Sequence, residues 1–138
     1  MITAVDTNVL IDVVRDDPRY CIASANALRQ CLREGRLVVC DVVWAELAAL
    51  FPSESTLVTV MKELEAEFWP SNQTTSTLAG HYWKSYRQQG GKRQRVLADF
   101  IVAAHAMTQC DRLLTRDRGF YRTHFKGLTI IDPSDQGD

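Results

Sequence analysis

The stretch Arg95–Phe120, RVLADFIVAAHAMTQCDRLLTRDRGF, decides the fold. From Val96 to Met107, the residues Leu97, Phe100, Ile101, Ala104 and Met107 recur at helical spacing and form a broad apolar face, as in a helix packed on a sheet. Asp99 falls in the first turn of that helix, where the positive end of the helix dipole favours a carboxylate. Val102 and Ala103 follow three and four residues on, so the same carboxylate borders an apolar surface, where a lone charge is costly and calls for a neutralising partner. Arg112-Leu113-Leu114-Thr115 then reads as a short buried strand, and Asp117 stands in the loop leaving it. Ligands of open α/β sheets bind beyond the carboxyl ends of the strands, which makes this loop the expected place for a site.

The N-terminus repeats the arrangement. Ile2-Thr3-Ala4-Val5 reads as a strand, Asp6-Thr7-Asn8 as the turn after it, and Val9-Leu10-Ile11 as the start of a helix. Leu37-Val38-Val39-Cys40 is a further strand pattern, followed by Asp41 as N-cap and a helix from Val42 to Leu50. Glu46 lies in that helix with Val42, Val43, Ala49 and Leu50 at helical spacing, which predicts that it faces apolar company rather than water. Asp6, Glu46, Asp99 and Asp117 thus all sit at strand exits or in helix turns just beyond them.

Taken together, Asp6-Thr7-Asn8 after the first strand, Glu46 in WAEL, Asp99 in ADFIVAAHA and Asp117 in LLTRDRGF resemble the PIN-domain nucleases. Within that family, the size and the minimal elaboration resemble the VapC toxins of bacterial and archaeal toxin–antitoxin pairs. The order and spacing of all four acids carry the resemblance, which extends from Asp6 to the last strand near Ile131.

A chain of 138 residues with 46% hydrophobic content suits one compact domain spanning 1–138 with a core of its own. No apolar run approaches the roughly 20 residues that span a bilayer, and no basic region precedes a long apolar segment at the N-terminus, so a cytoplasmic protein without a membrane partner is expected. Cys21, Cys31, Cys40 and Cys110 show neither CxxC spacing nor histidines at zinc spacing and read as reduced thiols. The net charge is only −1, but Met1–Trp69 carries 6 Lys+Arg against 11 Asp+Glu and Pro70–Asp138 carries 10 against 6. Lys92, Arg93 and Arg95 precede the key helix, and Arg116 and Arg118 flank Asp117. They are candidates for a phosphate-binding rim, or else ordinary solvated charges.

The chain alternates strand and helix with short connections. Strands are expected near 2–5, 36–40, 67–69, 112–115 and 128–131, and helices over about 7–14, 19–33, 42–50, 54–66, 76–88 and 95–109, with a turn of helix near 118–123. This alternation predicts an α/β fold: a central, mainly parallel sheet of about five strands in a three-layer α/β/α sandwich, the PIN-like arrangement that the resemblance also implies. Leu57, Val58, Val60, Met61 and Leu64, within 48–70, read equally as core or as a surface for a second copy or another protein.

Carboxylates converging at one sheet edge raise one another's proton affinity, and a hard divalent cation with oxygen ligands relieves them. Magnesium or manganese, as one or two ions, suits such a set, with phosphodiester hydrolysis as the chemistry. Asp6, Asp99 and Asp117 are the expected metal ligands. Glu46 either binds metal or orients water, and Thr7, Asn8 and Thr115 are placed to hydrogen-bond the carboxylates or a phosphate. The resemblance further implies RNA as substrate (tRNA or ribosomal RNA), a cognate antitoxin laid across the acidic groove, and a homodimer. Each acid alone has a plainer reading: Asp6 as a helix cap, Asp99 as a dipole complement and Asp117 as a loop acid. His105, about 240° around its helix from Asp99, and Trp44, Trp69 and Trp83 read as packing residues. Two other classes remain at this stage, a catalytically idle RNA- or partner-binding module and a receiver-like phospho-acceptor domain. Against the latter, Asp6 has no second acid beside it and Lys126 precedes the final strand.

Overall fold

Runs of β-branched and leucine residues that are buried at every position, not at alternate ones, build the centre of the molecule. Leu37, Val38 and Val39 are all inaccessible, as are Leu113 and Leu114, which requires helices on both faces of the sheet. The computed structural model describes residues 1–91 and 96–135. Its strands are β1 (Ile2–Val5), β2 (Arg36–Val39), β3 (Ala66–Phe68), β4 (Arg112–Leu114) and β5 (Ile130–Ile131), all parallel, in the order β3-β2-β1-β4-β5. The helices are α1 (Thr7–Val14), α2 (Cys21–Glu34), α3 (Asp41–Ala48), α4 (Glu54–Glu63), α5 (Gln73–Gln88), α6 (Leu97–Gln109) and α7 (Arg118–His124). The predicted α/β sandwich with a five-stranded parallel sheet is the observed fold.

The strand order places the candidate site. From β1 the chain builds outward to β2 and β3 on one side, then returns to place β4 and β5 on the other. The crevice between the carboxyl ends of β1 and β4 is therefore the point where the winding reverses, and the two loops leaving it diverge. The Asp6 N–H donates to the Leu114 carbonyl at 2.9 Å, so the sheet pairing continues one step past β1 and fixes Asp6 against the end of β4.

Element boundaries differ from the sequence reading where capping decides them. Asp41 is not the N-cap of α3: Cys40 holds that position, and Asp41 is the first helical residue, its Oδ1 accepting the Ser71 N–H at 2.9 Å. Helix α5 begins at Gln73 because the Asn72 side chain accepts the Thr75 N–H. Helix α4 stops at Glu63, since Glu65 adopts φ 57 and turns the chain into β3 one residue earlier than expected. At the end of α2, a Cβ on Gly35 would collide with the Met1 carbonyl, whose oxygen accepts the Arg36 N–H at 2.9 Å, so this close approach requires glycine.

Leu57 and Met61 bury in the core, which settles the core reading for those two residues of 48–70. Trp44 meets Phe68 edge-on, and Trp83 meets Phe100 in the same way, as packing residues do. All four cysteines are free. His105 is buried and its Nε2 lies 2.8 Å from the Trp69 carbonyl, a structural contact that fits its helical position away from Asp99. Among the described residues, no helix is long and apolar enough to cross a membrane.

Candidate active site

Asp6 is the centre of the candidate site. It ends β1, serves as N-cap of α1, and is 8% exposed. Its Oδ1 accepts the Thr7 N–H at 2.8 Å, and its Oδ2 accepts the Thr115 hydroxyl at 2.8 Å and the Asn8 side-chain amide at 3.3 Å. The helix-cap reading of Asp6 is the observed one and leaves its second oxygen to Thr115, so the first turn of α1 and the end of β4 are both tied to one carboxylate. Those donors favour the ionised form, yet burial outweighs them. Desolvation, followed by the negative charges of Glu46 and Asp99, leaves the Asp6 carboxyl pushed up from 3.8 to about 6.

The other predicted residues assemble around it. The Thr7 hydroxyl donates to Glu46 Oε1 at 2.7 Å, joining α1 to α3. Thr115 Oγ1 both donates to Asp6 and accepts the Asp117 N–H at 3.0 Å, so a single hydroxyl links the first acid to the backbone of the last. Asp99 lies half-buried in the first turn of α6, close enough for its charge to be felt at Asp6. Asp117 is half-buried at the N-cap position of α7. Thr115→Val, nearly isosteric, is expected to raise the proton affinity of Asp6 further, since it removes a donor to the charged form. NMR titration of the Asp6 carboxyl reads this directly, and an unmoved midpoint would mean that the hydroxyl has no hold on it.

One expectation is corrected. Glu46 does not face apolar company: α3 buries only Val43 and Leu47, one turn apart, while Ala45, Ala48, Ala49 and Leu50 are exposed together with Glu46. Of the four apolar neighbours at helical spacing, Val43 is buried and Val42 half-buried while Ala49 and Leu50 lie at the surface, and Glu46 takes the Thr7 hydroxyl as its hydrogen-bond donor.

The basic candidates divide. Lys92, Arg93 and Arg95 lie outside the described residues. The Arg116 guanidinium is held by Asp12, with Nε and Nη2 at 2.7 and 2.9 Å from its two oxygens. Arg118 Nε lies 3.5 Å from the buried Asp132. Asp12 was missed in the sequence because an acid amid VLIDVV looks like the solvent-facing residue of an amphipathic helix. Its signal was the spacing of four from Asn8, which puts both on one face of α1.

The oxygen-only donor set suits a hard divalent cation and not zinc. Among the described residues, however, no three His, Cys, Asp or Glu side chains converge closely enough to form a ready-made metal group. What favours a cation is the charge environment of Asp6, a buried carboxyl that two further acids make harder to ionise.

The family model for the PIN domain matches residues 3–126. The chain belongs to the PIN-domain family. Several solved structures share the PIN fold over nearly the whole chain. VapBC2 from Rickettsia felis bound to a DNA fragment from its promoter is 16% identical with a TM-score of 0.76, covering 96% of this chain and 98% of that one. VapBC-1 from nontypeable Haemophilus influenzae is 19% identical with a TM-score of 0.73, covering 97% and 99%. FitAcB from Neisseria gonorrhoeae is 20% identical with a TM-score of 0.68, covering 97% and 99%. At such identities the likeness is one of fold. No curated protein matches the chain significantly.

Proposed function

We propose that this PIN-domain protein is a magnesium- or manganese-dependent endoribonuclease of the VapC type, a single nuclease domain over 1–138 that hydrolyses RNA phosphodiester bonds. The observation that carries the reading is the Asp6 carboxyl, buried where the sheet winding reverses, pushed up to about 6, and burdened by the charges of Glu46 and Asp99. A group in this state gains more from a bound cation than from solvent.

In this reading Asp6, Asp99 and Asp117 hold one or two ions, and Glu46 holds metal or orients the attacking water. Thr7 fixes Glu46, while Asn8 and Thr115 fix Asp6. When bound, the cation supplies an activated water and neutralises charge on the phosphoryl oxygen during in-line displacement. The acids would hold the ion, and Glu46 would accept a hydrogen bond from the attacking water, while the phosphate would meet the carboxylates only through the cation. Lys92, Arg93, Arg95 and Arg118 supply positive charge for the RNA backbone, a role that needs no base recognition. The VapBC and FitAcB likenesses support a cognate antitoxin as partner, and the VapC resemblance adds a cytoplasmic homodimer acting on tRNA or ribosomal RNA.

The absence of a ready-made three-carboxylate group among the described residues favours one second reading, a PIN module that binds RNA or a partner without cutting. Incubating the protein with structured RNA in magnesium, in manganese and in chelator separates the two. Cleavage in either metal that stops in chelator is expected, leaving 5′-phosphate and 3′-hydroxyl ends. RNA binding without cleavage under all three conditions would select the idle module, and full cleavage in chelator would overturn the metal role.

A further inference from the structure

Arg116 stands between Thr115 and Asp117, yet its side chain is directed into the fold. Its guanidinium makes a two-pronged contact with Asp12 and packs over the Tyr20 ring, its Cζ 3.9 Å from the ring centroid. Tyr20 is itself held by its N–H to Asp17 Oδ1 at 2.9 Å. Asp12 is 2% exposed and also accepts the Ser24 hydroxyl at 2.7 Å, so the pair is anchored to α2 as well as to α1. One turn before Asp12, Asn8 Oδ1 accepts the Arg116 backbone N–H at 3.1 Å, while Asn8 Nδ2 reaches Asp6 Oδ2 at 3.3 Å and Thr115 Oγ1 at 3.4 Å. A single face of α1 therefore grips residue 116 twice, by its backbone through Asn8 and by its side chain through Asp12.

We propose that the Asp12–Arg116 ion pair is a positioning device that clamps segment 115–117 onto α1, setting where Thr115 meets Asp6 and where Asp117 stands, and that Arg116 is not an RNA contact. Asp12 decides between the roles. It is buried away from water with the guanidinium on both of its oxygens, so Arg116 could not swing out to a phosphate without leaving Asp12 with the Ser24 hydroxyl alone. The pair also spans 104 residues of sequence and joins the first helix to the loop after β4, the two segments that must be in register for Asp6 and Asp117 to share a site.

The metal and activity arms of the test rest on the nuclease reading, and the amide-exchange arm does not. Asp12→Asn removes a negative charge, so any effect through RNA electrostatics would tighten RNA binding, whereas loss of the clamp loosens the site. Asp12→Asn/Arg116→Gln leaves no buried charge unpaired and serves where the single variant does not fold. Amide exchange at Arg116 and Asp117 is expected to accelerate at least tenfold in either variant while β1 amides keep their protection. Calorimetry is expected to show Mn2+ binding weakened about tenfold, with kcat reduced and KM and its salt dependence unchanged. Unaltered exchange at Arg116 and Asp117 overturns the proposal. So does an Arg116→Gln variant with raised KM, a flatter salt dependence and full Mn2+ affinity, the behaviour of a phosphate contact. If the parent protein neither binds Mn2+ nor cuts RNA, the nuclease reading fails by itself, and the exchange measurement still decides the clamp.

Discussion

In chelator, the stability of Asp6→Asn relative to the parent protein is expected to rise by about 2 kcal/mol between pH 4 and pH 6 and to level off by about pH 7. The folded Asp6 carboxyl titrates at about 6 and its unfolded counterpart near 3.8. Below pH 3.8 the group is protonated in both states and has no effect on the balance. As pH rises from 3.8 to 6, the unfolded chain ionises while the buried group resists, so the parent loses stability at about 1.4 kcal/mol for each pH step. Above about pH 7 both states are ionised and the loss is complete. Asparagine cannot titrate and is free of this loss. It also alters the contacts with Thr7, Thr115 and Asn8, but that penalty does not vary with pH, so the change in the difference isolates the carboxyl. Urea unfolding of both proteins at pH 4, 5, 6 and 7 measures it. A difference that stays flat over this window would mean that Asp6 ionises as easily as a surface acid. The same variant is expected to lack RNA cleavage at every pH.

The sheet was legible because its strands carry unbroken apolar runs, Leu37-Val38-Val39 and Leu113-Leu114, which only a doubly covered sheet can bury. The placing of Asp6 and Asp117 at strand exits was legible, each being the first acid after such a run. Element ends were less so, because they depend on which side chain captures a free N–H: Asn72 extends α5 toward the N-terminus, and Asp41 gives its carboxylate to Ser71 and leaves the cap of α3 to Cys40. The exposure of Glu46 was hidden for a related reason. Helical spacing identifies its neighbours, but only tertiary packing decides which of them are covered, and here Val43 is while Ala49 and Leu50 are not. The Asp12–Arg116 pair could not be read from either end, since each residue looks like a solvated charge until α1 and the loop after β4 come together.

Cleavage and Mn2+ binding are expected to fall together below about pH 6, each by roughly tenfold per pH unit, and to be nearly flat from pH 7 to pH 8. A cation needs the ionised form of Asp6, so in acid it competes with a proton at that oxygen. With the carboxyl pushed up to about 6 by burial, Glu46 and Asp99, this competition begins two pH units higher than for an exposed aspartate. The cause is checked in the metal-free protein, where it cannot be confused with loss of a ligand. Asp99→Asn removes one of the charges that make Asp6 hard to ionise, so NMR titration of the Asp6 carboxyl should find its midpoint near 6 in the parent and lower in the variant. Burial is the largest contribution and is unchanged by the substitution, so the midpoint should remain above that of an ordinary aspartate. An acid limb near pH 4 in the parent would show that Asp6 is more hydrated than its 8% exposure implies. An identical midpoint in parent and variant would place Asp99 too far from Asp6 to share a cation with it, and the metal site would then have to be built on Asp6 and Glu46, the acids already joined through Thr7.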